Sequence, residues 1–382
     1  MVTLRLLLDR LHDPRPSGTR RYTVSLAREI VRRAPGGCDA EALLAKTTPE
    51  AVAGVRDLVP GLVGSTQSSK RLESLEKAWP RGFATATFGG GLVHAFEPLA
   101  PLRDISLSGG IDQTVVTWHH AAAFTRPELL DPAEVKLHEA LLKRAHRFAS
   151  AIVVPTNAVA DELGERYDFG GRLRVIGGAA SATLRLPEDE TTGDEIARTL
   201  GLPDDYVATF ASLAPRRGLE PLLQALALPA ARDARLVVIG SPDDGARTLD
   251  AALASAGVGR ERVTVVEGLR DEELAVVLQR ANALVVPSLE AGFGLPLVEA
   301  FRFGTPVIAS DAPALVEVAM DAALLVERSD EAGYPERLAG AIASVLGDRD
   351  VERRLRLSGK DRGAMFNWSF SADQVWQLHA DL

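Results

Sequence analysis

The sequence predicts an α/β protein built from two doubly wound parallel-sheet domains. Short apolar runs alternate with amphipathic helical segments almost to the C-terminus. The alternation breaks once, at a polar stretch containing Gly177, Gly178 and Pro187–Glu190, and then restarts. The 382 residues are ample for two separate cores.

Val2–Asp9 reads as the first strand, closed by the proline-rich loop His12–Gly18. Tyr22, Leu26, Ala27, Ile30 and Val31 then fall on one helical stripe. Strands follow at Ala40–Ala45, Leu92–Phe96, Thr114–His119, Ala151–Pro155 and Leu173–Ile176, with helices at Ala133–Ala149 and Ala158–Tyr167. Thr156-Asn157 is the cap signal for the second of these helices. After the break, strands fit Tyr206–Ser212, Arg235–Gly240, Arg262–Glu267, Ala283–Pro287, Pro306–Ser310 and Ala323–Val326. Helices fit Leu219–Ala227, Ala246–Ala256, Asp271–Ala281, Leu295–Phe303 and Glu336–Leu346, and the tail is helical. Apolar strands separated by helices are buried on both faces and pair in parallel. The expected division is 1–180, 181–362 and a C-terminal helix, 363–382, packing back on the first domain. Ligands in such folds bind at the carboxyl ends of the strands, here in a cleft between the domains.

Composition narrows the class. Hydrophobic residues make up 46% and charged residues 25%, ordinary values for a soluble globular protein. A single cysteine, Cys38, excludes a disulfide framework and a Cys-based metal site. No uncharged apolar run has the length of a membrane span, and the N-terminus lacks the basic start of a signal peptide, so the expectation is a cytoplasmic protein. The net charge is −9, unevenly spread: residues 1–180 hold 23 basic against 20 acidic side chains, and the remainder 20 against 32. That sign argues against a nucleic-acid partner.

The most informative stretch runs from Pro287 to Ala300: a strand end, a turn with Gly292, Phe293 and Gly294, and a helix opened by Leu295. Glycines permit close backbone approach, and a helix start can hold an anion. Glu299, one turn into the helix, is placed to accept hydrogen bonds from two ribose hydroxyls. On the residues alone, a tight turn with a solvated glutamate fits equally well. A second stretch, Phe210–Leu219, carries adjacent Arg216 and Arg217 between a strand and a helix, where arginine forks match phosphate oxygens.

These stretches resemble the family 4 glycosyltransferases, retaining enzymes of the GT-B fold with two Rossmann-like domains. Gly292–Pro296, Glu299-Ala300 and the continuation Phe301–Ser310 match the family's hallmark in register, while Ala291 stands where its first glutamate falls. The resemblance puts Arg216 and Arg217 on the donor diphosphate, with Arg217 and Gly218 in place of the usual Lys-Asn. Thr114–His120 resembles the strand that ends in the family's His-Asp, which sets His119 beside the transferred sugar and His120 at the aspartate's place. Ser17–Tyr22 resembles its Gly-x-Gly-Arg-Tyr loop, which sits over the donor phosphates or the acceptor. Gly18, Arg21 and Tyr22 match there, and Arg20 replaces the second glycine.

The implied activity is that of a metal-independent, retaining hexosyltransferase, mannosyltransferase-like. It would use no cofactor beyond a UDP- or GDP-sugar donor and would take a glycan, lipid-linked or small-molecule acceptor. Two alternatives are a weakened GT-B accessory subunit and a GT-B sugar-nucleotide epimerase. A nicotinamide dehydrogenase is disfavoured, since no Gly-x-Gly-x-x-Gly follows the first strand. Asp348-Arg349-Asp350 fits a metal motif formally but reads as solvated surface. Helix Lys136–Ala149 and segment Ser65–Phe83, with Trp79, are candidates for peripheral contact with the inner face of a membrane.

Overall fold

The computed structural model describes residues 2–12, 17–104 and 112–382, so most of the expected loop His12–Gly18 lies outside the described residues. The chain forms two compact units. One is Met1–Gly178 together with Asn367–Leu382, the other Ala179–Phe366.

The first unit holds seven strands: β1 (Val2–Leu7), β2 (Cys38–Leu44), β3 (Ser65–Gln67), β4 (Leu92–Ala95), β5 (Gln113–Thr117), β6 (Ala151–Val154) and β7 (Leu173–Val175). They pair in the order β3-β2-β1-β4-β5-β6-β7, parallel throughout. The second unit holds β8 (Val207–Thr209), β9 (Leu236–Ile239), β10 (Val263–Val266), β11 (Ala283–Val286), β12 (Val307–Ser310) and β13 (Leu324–Val326). Their order is β10-β9-β8-β11-β12-β13, again all parallel. Strands such as Ala151–Val154 and Ala283–Val286 are buried at every residue, as a sheet covered on both faces requires. Each order reverses once, between β1 and β4 and between β8 and β11, and a crevice opens there at the carboxyl ends of the strands.

The last helix, Trp368–Asp381, belongs to the first unit. Trp376 donates its indole N–H to the Ile30 carbonyl at 2.9 Å, and Trp368 packs edge-on against Tyr22 of helix Gly18–Arg32. Below them His379 Nδ1 lies 3.1 Å from Gln113 Oε1, and His379 Nε2 lies 3.2 Å from His94 Nδ1. With Gln113 Oε1 as acceptor, His379 donates from Nδ1 and accepts at Nε2 from His94. Both rings are then neutral. Burial agrees: His379 is held down to about 4, and His94, fully buried, is lowered as well.

Several expected boundaries move. β1 ends at Leu7, and Asp9 opens a 3-10 turn. β5 ends at Thr117, because its ladder closes with Trp118 N–H on the Val153 carbonyl at 2.7 Å. His119 and His120 therefore lie in a loop, not on a strand with alternating faces. The expected helix Ala246–Ala256 starts at Leu249, where Thr248 Oγ1 caps the Ala251 N–H. Strand β3 and helices Pro49–Leu58 and Pro313–Ala319 were not foreseen. Segment Ser65–Phe83 forms β3, helix Leu72–Ala78 and a 3-10 turn, with Leu75 and Trp79 buried in the core. That burial removes Trp79 as a membrane anchor.

In the second unit one glycine fixes the spacing of two motifs. Gly218 sits at φ +74° ahead of helix Leu219–Ala227, and a Cβ there would overlap the Pro287 carbonyl oxygen at the end of β11. Both the left-handed backbone and the space therefore demand glycine.

Three outcomes follow from this packing. For His379 the unfolded chain binds more protons than the folded one between pH 6.5 and 4, so stability should fall as pH drops through that window. The full shift corresponds to about 3 kcal/mol, and His379→Gln should flatten the pH dependence of urea unfolding there. Gly218→Ala should cost about 2–4 kcal/mol in the same assay. Gly340→Ala, on an exposed helix face with open space around it, should gain up to about 1 kcal/mol.

Candidate functional site

In the second unit the strand-order reversal puts the ends of β8 and β11 side by side. Thr209, the last residue of β8, ties them by donating its hydroxyl to the Val285 carbonyl at 2.8 Å. Beyond β8 the chain forms the turn Pro215–Arg217, and beyond β11 the segment Ser288–Gly294. The Arg216 carbonyl accepts the Leu289 N–H at 2.9 Å and the Glu290 N–H at 3.4 Å. The same segment is held from the other side. Ser310 donates its hydroxyl to the Ser288 carbonyl at 2.5 Å, and Arg328 donates Nε–H to the Leu289 carbonyl at 2.9 Å. Arg328 is steadied by Asp311 at 3.4 Å. A turn bonded this way keeps its backbone groups in one arrangement, which a binding loop needs.

Gly294, at φ +81°, leads into helix Leu295–Phe303. A Cβ at Gly294 would press on Leu315, so glycine is required here too. No side chain caps this helix start, and Leu295 is buried beneath it. Phe293 packs edge-on against Phe366, which lies under the Arg362 guanidinium. Glu299 is 1% exposed. That burial excludes the solvated glutamate that the residues alone allowed: a carboxylate is taken out of water only where something in its surroundings makes it worthwhile. Gly292 is buried, and Arg216 and Arg217 are half-buried. The arginine turn and the glycine turn, remote in sequence, are thus brought together.

Sequence reasoning passed over three contributors to this half, Ser310, Asp311 and Arg328, while Glu290 is the acid that stands one position before the place of the family's first glutamate. Glu290 is 3% exposed, and Ser310, Asp311 and Arg328 hold the turn from neighbouring strands. Ala291 packs at the edge of the second unit's core cluster.

Gly18 and His119 belong to the first unit. Ser17 caps the helix that Gly18 opens, accepting the Arg20 N–H at 3.1 Å, and a Cβ on Gly18 would meet open space. Packing does not require glycine at that position. His119 Nε2 lies 2.7 Å from the Phe96 carbonyl, so Nε2 carries the proton and Nδ1 the lone pair. The ring meets Tyr22 edge-on, and burial pushes its pKa down to about 4. His119 is a neutral hydrogen-bonding group near pH 7, not a cation. His120 stacks on His138. Among the described residues, no three His, Cys, Asp or Glu side chains group as metal ligands. Asp348 is a helix cap, accepting the Asp350 and Val351 N–H groups. No described helix is long and apolar enough to cross a membrane.

Comparison with known proteins places this geometry. A D-inositol 3-phosphate glycosyltransferase of Corynebacterium diphtheriae is 26% identical over 76% of this chain and 65% of its own length. An MMP alpha-(1->4)-mannosyltransferase of Mycolicibacterium hassiacum is 34% identical over 44% of this chain and 41% of its own. The chain thus spans less than two thirds of each of these relatives. The crystal structure of Anabaena Alr3699/HepE in complex with UDP-glucose superposes with a TM-score of 0.75 and 17% identity, covering all of both chains. With its two parallel-sheet units, this chain has the GT-B α/β fold. Residues 194–362, less than half of the chain, match the family described as Glycosyl transferases group 1. That match takes in both the arginine turn and the glycine turn, so the second unit carries a glycosyl transferases group 1 domain.

Proposed function

We propose that the protein is a retaining glycosyltransferase that moves a hexose from a UDP- or GDP-sugar to a hydroxyl acceptor without a metal ion. The observation that carries the reading is the pairing of the two turns of the second unit: the Arg216 carbonyl bonds the Leu289 and Glu290 amides, and Glu299 in the helix that follows is buried. Glu299 would accept the ribose hydroxyls, and the uncapped start of helix Leu295–Phe303, with the backbone from Gly292 to Leu295, would lie along the donor. Arg216 and Arg217 would hold the diphosphate and stabilise the charge that builds on it as the leaving group. In this scheme the bond from the sugar's anomeric carbon to the phosphate oxygen breaks, the bond to the acceptor oxygen forms on the same face, and the acceptor proton passes to the departing diphosphate. His119 would accept a hydrogen bond from the sugar at Nδ1. The UDP-glucose bound to the structural neighbour and the sugar-transfer names of the relatives support a nucleotide-sugar donor. We place the protein in the cytoplasm, with helix Lys136–Ala149 as the remaining candidate for peripheral contact with the inner face of a membrane.

One residue favours a second reading. Ala291 leaves out a carboxylate that the resembling family directs at the sugar, as a weakened accessory protein would. Mass-spectrometric detection of donor hydrolysis across UDP- and GDP-sugars decides between them: turnover supports the transferase, and nucleotide binding without any turnover supports the accessory protein.

Two binding outcomes are expected. Glu299→Ala should weaken UDP or GDP by about 1.5–3 kcal/mol in calorimetric titration, the scale of hydrogen bonds to a charged group. Replacing Arg216 and Arg217 together with alanine should bring nucleoside and nucleoside diphosphate to nearly equal affinity. A variant that still prefers the diphosphate strongly would take the arginines out of the site.

A further inference from the structure

His119 is held by one hydrogen bond and one ring contact. Its Nε2–H donates to the Phe96 carbonyl at 2.7 Å, which pins a single atom and leaves the ring free to swing about it. The plane of the ring, and with it the direction of the Nδ1 lone pair, is set by Tyr22. The two ring centroids lie 5.0 Å apart at an interplanar angle of 85°. Tyr22 is held in turn by Trp368, at 5.2 Å and 76°. Both contacts are edge-to-face, the arrangement in which aromatic rings attract one another. Neither the Tyr22 hydroxyl nor the Trp368 indole N–H has a hydrogen-bond partner among the described residues, so the rings themselves join the three groups.

Trp368 is itself well seated. It opens helix Trp368–Asp381, and several bonds tie that end of the helix down. Asn367 Oδ1 accepts the Ser369 N–H at 2.8 Å, Ser369 donates its hydroxyl to Glu29 Oε2 at 2.9 Å, and Ser371 donates to the Gly177 carbonyl at 2.8 Å. Charged groups on the packed elements are engaged with one another: Glu97 with Arg10, Glu29 with Arg32, and Asp373 with Arg33, while His94 faces His379. Burial, under a Tyr22 that is 4% exposed, is what keeps His119 neutral.

We propose that Tyr22 and Trp368 are positioning residues, through which the last helix of the chain sets the orientation of His119 and the aim of its Nδ1. The weight given to His119 in catalysis rests on the transferase reading, but the coupling of Trp368 to His119 stands on the first unit alone.

The test joins histidine NMR of the intact chain to turnover. Ring signals of the seven histidines are recorded from isotope-labelled protein, and His119→Gln identifies His119 by the signal it removes. Parent His119 should stay in one neutral tautomer, protonated at Nε2, from pH 8 down to about pH 5. Trp368→Met, which keeps bulk and removes the ring, should shift that signal and let His119 titrate at about pH 5 or above. Its kcat for donor hydrolysis should fall about tenfold, with KM and the binding of UDP and GDP within about twofold of the parent. Trp368→Phe should recover most of both losses. Tyr22→Leu should reproduce them, and adding Trp368→Met to it should cost little more, because the same link is already broken. Trp376→Phe loses the bond to the Ile30 carbonyl on the same helix and controls for loosening; it should leave the His119 signal in place.

An unshifted His119 signal in Trp368→Met would overturn the proposal, as would an equal shift in Trp376→Phe. Additive losses in the double variant, or a shifted ring with the parent's kcat, would overturn it too. Absence of turnover by the parent on every UDP- and GDP-sugar, with His119 still answering to Trp368→Met and not to Trp376→Phe, would instead sink the transferase reading and leave the ring coupling standing.

Discussion

The second unit's site depends on how closely two backbones can approach. With no side chain at Gly218, the turn Pro215–Arg217 settles against the end of β11, and only then does the Arg216 carbonyl reach the Leu289 and Glu290 amides. Those bonds fix the entry to the glycine turn, and the turn aims the start of helix Leu295–Phe303. The backbone of the arginine turn is therefore located by main-chain geometry.

The first unit settles its charges by pairing and by burial. Arg10 is held between two glutamates, and His379 of the C-terminal helix and His94 beneath it are kept neutral by burial.

Much of this architecture was legible in the sequence. Continuous apolar runs such as Ala283–Val286 and Leu236–Ile239 are long enough to mark buried parallel strands, and the Gly-x-Gly turn before Leu295 marks a strand-to-helix junction. Three-residue strands such as Ser65–Gln67 carry too few side chains to show a period, so β3 was missed. The end of β5 was misplaced because apolar Trp118 prolongs the pattern past the last ladder bond. The turn motifs were readable because their chemistry is local in sequence. Asp9 and Arg328 were not, since each gains its meaning from residues far along the chain: Ala45 for one, Leu289 and Asp311 for the other.

The C-terminal helix has a consequence for how the chain comes to be folded. The second unit is one uninterrupted segment, Ala179–Phe366, and can close its sheet as soon as that segment is synthesised. The first unit begins earlier but finishes last, because Trp368, Trp376 and His379 come at the far end of the chain. Until they emerge from the ribosome, the Ile30 carbonyl, the edge of Tyr22 and His94 face water or a chaperone in place of their helix. Vectorial synthesis thus reverses the usual order: the N-terminal unit waits, open along one face, while the unit that follows it is already complete.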